Sequence, residues 1–202
     1  MNNANYEILF PSPILSVDLP LIKNDLLLDY VYKIKNADTT GRVKSNLGGY
    51  QSLFLNLKDI ELQPLLDDIS KFVSEYIVFC NFKKNIIYRI QTMWFNINYY
   101  KDTNVSHIHP GCLFSGVFYL KTNTNSGNIN FIHPAMELLS YDWSDEYKNT
   151  LTEKNSLTYN MPAIQNRLYI FPSWLRHLVK PNLNKNEDRI SFSFNIGVEN
   201  VF

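Results

Sequence analysis

Apolar positions follow a helical period in two early stretches of the chain and a two-residue period in most of what comes after. Ile8 to Pro20 is apolar but cut by Pro11, Pro13 and Pro20, which suits an edge strand or extended arm. From Leu21 to Lys35 the spacing of Leu26, Leu27, Tyr30, Val31 and Ile34 predicts a helix. A turn is expected at Asn46-Leu47-Gly48-Gly49-Tyr50. A second helix is expected from about Leu62 to Val78, with Pro64 tolerable in its first turn and Leu65, Leu66, Ile69, Phe72, Val73, Tyr76 and Ile77 as its buried stripe. Beyond residue 85 alternating runs bounded by Asn, Ser, Gly and Pro predict strands: Ile87 to Tyr100, Leu113 to Lys121, Gly127 to His133, Arg167 to Phe171, His177 to Lys180 and Arg189 to Val198. The polar stretch from Pro134 to Asn160 interrupts them and reads as a lid, binding loop or disordered insertion. The expected architecture is mainly β with N-terminal helices. It is a single domain over 1–202, with an arm and helical support in 1–85 and a sandwich or barrel core in 86–202.

Composition narrows the function classes. The 202 residues carry 19 Lys plus Arg and 19 Asp plus Glu, so no overall charge marks a nucleic-acid or anionic-membrane partner. With 45% hydrophobic and 14% aromatic residues the chain has ample material for a core, which excludes disorder, fibre and coiled coil. Cys80 and Cys112 form neither a Cys-x-x-Cys pair nor a disulfide framework, and read as thiols in a reducing compartment. No signal-peptide pattern opens the chain and no window approaches a membrane span. A cytoplasmic protein without a membrane partner is expected.

Two strands face an unusual way. Arg189 to Ile196 presents Ile, Phe, Phe and Ile on one face and Arg189, Ser191, Ser193 and Asn195 on the other. Met93 to Tyr100 likewise sets Trp94, Asn96, Asn98 and Tyr100 on one side. A solvated face explains either strand alone; the two together suit a polar cavity. Histidine supplies the chemistry. His107 and His109, two residues apart on an extended segment, point to the same side, and His177 opens a later strand. Three imidazoles with open positions left over make a catalytic metal site, not a closed structural one. Arg189 follows His177 closely enough for a hairpin through Pro181 to Asn186, which would put both on neighbouring strands of one wall.

The run Phe171-Pro172-Ser173-Trp174-Leu175-Arg176-His177-Leu178-Val179-Lys180-Pro181, followed by Asp188 to Asn195, resembles the C-terminal signature of small 2-oxoglutarate- and Fe(II)-dependent oxygenases related to prolyl hydroxylases. Trp94-Phe95-Asn96, His107-Ile108-His109-Pro110, Ser115 to Leu120, Leu9 to Pro13 and Gly49 to Ser52 resemble the family's upstream blocks. The resemblance implies a double-stranded β-helix, a jelly-roll barrel open at one end with helices packed on one outer face. It implies Fe(II), 2-oxoglutarate and O2 as cofactor and cosubstrates. A C–H bond of a small-molecule or peptide substrate would be hydroxylated, with succinate and CO2 as co-products. His107 maps to the first metal ligand and His177 to the distal histidine. Arg189 and Ser191 map to the pair that holds the far carboxylate of 2-oxoglutarate, and Tyr119 to a tyrosine on that same carboxylate. A planar guanidinium can meet a carboxylate bidentately, which lysine cannot.

His109 departs from the superfamily, where a carboxylate usually stands two residues after the first histidine. Three readings stay open: His109 ligates, it supports a site completed by a carboxylate from the insertion, or metal binding is lost. His133, two residues beyond Phe131 and four beyond Ile129, is expected near the cavity with Trp94, Asn96, Asn98 and Asn195. Two rivals remain. A three-histidine zinc hydrolase or lyase fits the ligands but leaves Arg189 and Ser191 idle, and a cupin-like binding module explains the strands but not the convergent histidines.

Overall fold

The computed structural model describes residues 4–199. Its strands are β1 (Leu15–Asp18), β2 (Asn46–Leu47), β3 (Tyr50–Gln51), β4 (Tyr88–Asn98), β5 (Thr103–His107), β6 (Phe114–Lys121), β7 (Ile129–Ile132), β8 (Thr158–Met161), β9 (Arg167–Pro172), β10 (His177–Val179) and β11 (Arg189–Val198). Its α-helices are α1 (Asn24–Ala37), α2 (Gln63–Phe79) and α3 (Met136–Asp142). The strands form two antiparallel sheets, one ordered β1-β9-β6-β11-β4-β3 and the other β2-β5-β10-β7-β8. This is a double-stranded β-helix whose two sheets do not close into a barrel.

The two-residue period decides what each face of the larger sheet meets. Met93, Phe95, Ile97, Phe118, Leu120, Ile190, Phe192 and Phe194 point to one side and join Leu27, Tyr30, Val31, Leu65, Ile69, Val73 and Tyr76 of the two long helices in the main core. Each fully buried side chain of this size contributes about 1.5–3 kcal/mol relative to exposure. α2 runs as expected, with proline in its first turn and a buried stripe through Leu65, Ile69, Val73 and Ile77. In α1 the expected stripe holds through Leu27, Tyr30 and Val31, which are buried, and Ile34, which packs against the core, while Leu26 at its start is 55% exposed and Leu28 packs on the core in its place. β1 pairs with β9 at the edge of the larger sheet, where the prolines that flank it remove no needed hydrogen bond.

The opposite face of the larger sheet meets the smaller one. Val117, Tyr119, Tyr169 and Phe171 pack against Ile129 and Phe131 of β7 across the gap. His177 and Arg189 are not neighbours on one wall: β10 lies in the smaller sheet and β11 in the larger. The segment between them crosses from sheet to sheet instead of folding back as a hairpin. Buried Asn182 holds that crossing, its Nδ2 donating to the carbonyls of Asn98 at 3.0 Å and Glu187 at 2.8 Å. The stretch from Pro134 to Asn160 is not without structure either. It contains α3, a short 3-10 turn over Asp145–Tyr147 and the start of β8. α3 buries none of its residues. Among the described residues no helix is long and apolar enough to cross a membrane.

Candidate metal and cosubstrate site

His107 ends β5 and His177 opens β10, and the antiparallel register sets the two directly opposite each other. His109 follows two residues on, anchored where its backbone N–H donates to the Ser173 carbonyl at 3.0 Å. The available ring nitrogens of all three lie within 4.8 Å of one another, and among the described residues no carboxylate or thiol joins the group. His107 and His177 are oriented alike. Each sets Nδ1 against the carbonyl two residues before it, Val105 at 2.7 Å and Leu175 at 2.9 Å. With Nδ1 donating, Nε2 keeps its lone pair for a metal. Nε2 of His109 stands 3.3 Å from Nε2 of His177. Two nitrogens each about 2.1 Å from one ion lie about 3.0 Å apart at a right angle and about 3.4 Å apart at the tetrahedral angle, so the pair fits a shared ion.

The imidazoles are kept neutral. Burial, with the neighbouring His107 ring adding to it, pushes His177 down to about 3 and His109 down to about 4. Burial lowers His107 as well, with the Arg176 guanidinium adding to it. Phe171 and Phe131 supply the dry surroundings of His177, at ring-centroid distances of 4.8 and 5.9 Å, and Trp94 stacks on His109 at 5.8 Å. The sign of the pH dependence follows. Because the folded-state values lie below the unfolded value near 6.5, the stability of the metal-free protein is fully present above pH 6.5 and is lost as pH falls from there towards 4 and 3. Each such histidine costs about 1.4 kcal/mol per pH unit in that window. Urea denaturation of metal-free protein at pH 7.5 and pH 5 should therefore show a lower midpoint at pH 5, with His177→Phe reducing the difference. Equal midpoints would contradict buried neutral histidines.

Two residues before Ser191, on the same face of β11, stands an unsatisfied guanidinium. Arg189 is fully buried, and its Nη1 donates to the carbonyls of Ser126, Gly127 (3.0 Å) and Lys180 (2.9 Å). Gly127, at φ +80°, is required where these carbonyls converge, since a Cβ there would collide with the Lys180 carbonyl. Among the described residues Nε and Nη2 of Arg189 have no partner, nor has the buried hydroxyl of Tyr119. Tyr119 faces Ser191 across the β6–β11 ladder, and both line the cavity. Burial raises the Tyr119 phenol well above its ordinary range and lowers Arg189. Buried donors left without acceptors cost about 1–3 kcal/mol each. A carboxylate is the acceptor that matches two guanidinium N–H groups and a phenol.

Of the other residues expected at the cavity, Trp94, Asn96 and Asn98 line it. Asn195, on the face of β11 that carries Ser191 and Ser193, does not line the cavity itself but lies beside His109, its Oδ1 accepting from Ser115 Oγ at 2.9 Å and its Nδ2 donating to Thr92 Oγ1 at 3.1 Å. His133 does not reach the cavity. β7 ends at Ile132, so the face shared with Ile129 and Phe131 is lost, and His133 is exposed with Nδ1 accepting from the Ala135 N–H at 3.0 Å. Asn104 and Ser45, joined Nδ2 to Oγ at 3.3 Å, line the cavity without any sequence signal. Ser193 also lines it and was legible in the polar face of β11.

Residues 92–195 match the family described as "Putative 2OG-Fe(II) oxygenase". The chain belongs to this family. Such oxygenases use Fe(II), 2-oxoglutarate and O2, and the three imidazoles fit the iron. No curated protein matches the chain in sequence. Among solved structures it is similar to a prolyl-4-hydroxylase from Pseudomonas putida (11% identity, TM-score 0.61, 93% of each chain covered). It is similar also to a prolyl hydroxylase from Trichoplax adhaerens, in complex with a hypoxia inducible factor oxygen degradation domain peptide fragment (14% identity, TM-score 0.60, 91% of this chain and 83% of that one). A third is the viral collagen prolyl hydroxylase of Paramecium Bursaria Chlorella virus-1, in a 2-oxoglutarate complex (15% identity, TM-score 0.54, 91% and 94%). At these identities the likeness is one of fold.

Proposed function

We propose that this oxygenase is a hydroxylase of a small-molecule or peptide substrate, with His107, His109 and His177 holding Fe(II) and Arg189, Ser191 and Tyr119 holding the far carboxylate of 2-oxoglutarate. The observation that carries the reading is the buried guanidinium of Arg189, with Nε and Nη2 unpartnered and the orphaned Tyr119 hydroxyl in the same cavity wall. When bound, Fe(II) supplies the O2 chemistry that couples oxidative decarboxylation of 2-oxoglutarate, giving succinate and CO2, to oxidation of a C–H bond. The protein orients and excludes. Arg189 fixes one end of the cosubstrate, the three imidazoles define the other, and the apolar wall of Val117, Ile129 and Phe171 keeps water from the space between. A three-histidine hydrolase gives no task to Arg189, and a binding module gives none to the imidazoles.

The whole chain serves as one catalytic domain. Its segment from Pro134 to Asn160 covers the substrate, a reading supported by the exposed Leu138, Tyr141 and Tyr147 on a stretch whose helix buries nothing. Shortening that segment should abolish turnover of an identified substrate while succinate release without substrate persists; unchanged turnover refutes the cover. The unpaired thiols of Cys80 and Cys112 suit a reducing compartment such as the cytoplasm.

Anaerobic titration with Fe(II), with and without 2-oxoglutarate, tests the function directly. A weak visible charge-transfer band should form when both are present, and admission of O2 should release succinate slowly even without substrate. Iron bound but no succinate above a metal-free control would overturn the proposal.

A further inference from the structure

The chain is neutral overall, yet the walls of this site are not. Residues 39–58, 103–136 and 154–186 contain no Asp or Glu, although the chain has 19 of them. These three stretches supply Ser45, Asn104, His107, His109, Val117, Tyr119, Phe171 and Val179 of the cavity lining. The nearest acid in sequence to the first two histidines, Asp102, is spent on a turn, where Oδ2 accepts from the Tyr99 N–H at 2.8 Å. The bases in the same stretches include Arg42 and Arg176, and neither pairs with a carboxylate among the described residues. Among the described residues no carboxylate or thiol joins the three imidazoles, so no protein anion would offset the charge of a metal held there.

The two guanidinium groups are placed to be met by a molecule entering the site. Arg42 lies over the ring of Phe54 at 4.3 Å, and the half-exposed Phe54 stands 6.1 Å from Trp94, which stacks on His109. This is an unbroken column from the metal ligand to the protein surface, apolar along its length and cationic at its outer end. A guanidinium held flat on an aromatic face keeps its N–H edge free for an anion. Arg176 is exposed and directly precedes His177, its carbonyl accepting from the Ile132 N–H at 2.9 Å at the end of the strand that carries this histidine.

We propose that the substrate carries a carboxylate on an apolar body, as a small organic acid or an acidic peptide, drawn in by Arg42 and Arg176 and laid along Phe54 and Trp94. The inference rests on the oxygenase reading above and adds the charge of the substrate to it. Aligned cationic walls of low dielectric raise the local concentration of an oppositely charged ligand by about 10- to 10³-fold. A phosphate backbone is the less favoured anion, since two guanidinium groups do not make the basic stripe that tracks a nucleic-acid strand.

The test uses the full-length protein loaded with Co(II) and saturated with 2-oxoglutarate, and reads paramagnetic relaxation of probe protons. The probes are 3-phenylpropionate, 3-phenylpropan-1-ol and 3-phenylpropan-1-amine, which differ essentially in charge, together with two peptides of one sequence bearing Glu or Lys flanks and a thymidine hexanucleotide. The acid or the Glu-flanked peptide should be relaxed at least about tenfold more than its neutral and cationic counterparts. Whichever of the two leads identifies the source of the carboxylate. Combining Arg42→Glu with Arg176→Glu should erase that preference. Equal relaxation of all probes, a preference surviving the double variant, or stronger relaxation of the oligonucleotide would each overturn the proposal. Failure of the oxygenase reading shows separately, as absence of the Fe(II)–2-oxoglutarate band and of succinate.

Discussion

His109→Ala should lower Fe(II) affinity as steeply as His107→Ala or His177→Ala, well beyond the roughly 10- to 100-fold that loss of an outer-sphere partner costs. The reason is geometric. Nε2 of His109 and Nε2 of His177 share one point at 3.3 Å separation, and no carboxylate among the described residues approaches it. His109→Asp should retain metal better than His109→Ala, because a carboxylate at this position still points inward, although its shorter stem holds the oxygen farther back. Competitive titration against a chromophoric chelator reads all four proteins, with melting of the metal-free forms as the check on folding. An affinity loss for His109→Ala confined to the 10- to 100-fold range would make His109 a supporting residue and sink the three-histidine ligand set, while the oxygenase reading stands.

Arg189→Ala should weaken 2-oxoglutarate binding by about 2–5 kcal/mol, roughly 30- to 4,000-fold, with metal affinity nearly intact. The guanidinium belongs to the sheet opposite the one that carries His107 and His177, and its unpartnered Nε and Nη2 can both donate to a carboxylate. Arg189→Lys should bind cosubstrate worse than the native protein, since an ammonium cannot reproduce the fork. Arg189 also donates to the carbonyls of Ser126, Gly127 and Lys180, so truncation strips acceptors of their donor as well. Tyr119→Phe separates the two effects. It removes one orphaned hydroxyl, leaves the carbonyl cluster untouched, and should weaken 2-oxoglutarate by about 0.5–1.5 kcal/mol without loss of stability. Equal loss of metal and cosubstrate affinity in Arg189→Ala would show the residue misplaced.

Local patterns determined much of this protein without help from the fold. A two-residue period places Phe192 and Phe194 on one face of β11 and Arg189, Ser191 and Ser193 on the other, whatever sheet the strand joins, because successive side chains alternate. The same rule turns His107 and His109 to one side, and a 3.6-residue period makes the stripe of α2. Periodicity fails where its continuation is interrupted: β7 stops at Ile132, so His133 leaves the cavity face on which alternation alone would set it. Other features depend on which strands become neighbours. A loop of the length between His177 and Arg189 can close a hairpin or cross between sheets, and nothing local distinguishes the two; the buried hydrogen bonds of Asn182 to Asn98 and Glu187 accompany the crossing. Only that crossing sets the imidazoles in one sheet and the guanidinium in the other, so that a cavity separates them. The pairing of β5 with β10 opposes His107 to His177, and the gap between the sheets brings Trp94 onto His109. These contacts join residues far apart in the chain, and their energies arise from burial and cross-strand packing that no short window of sequence contains.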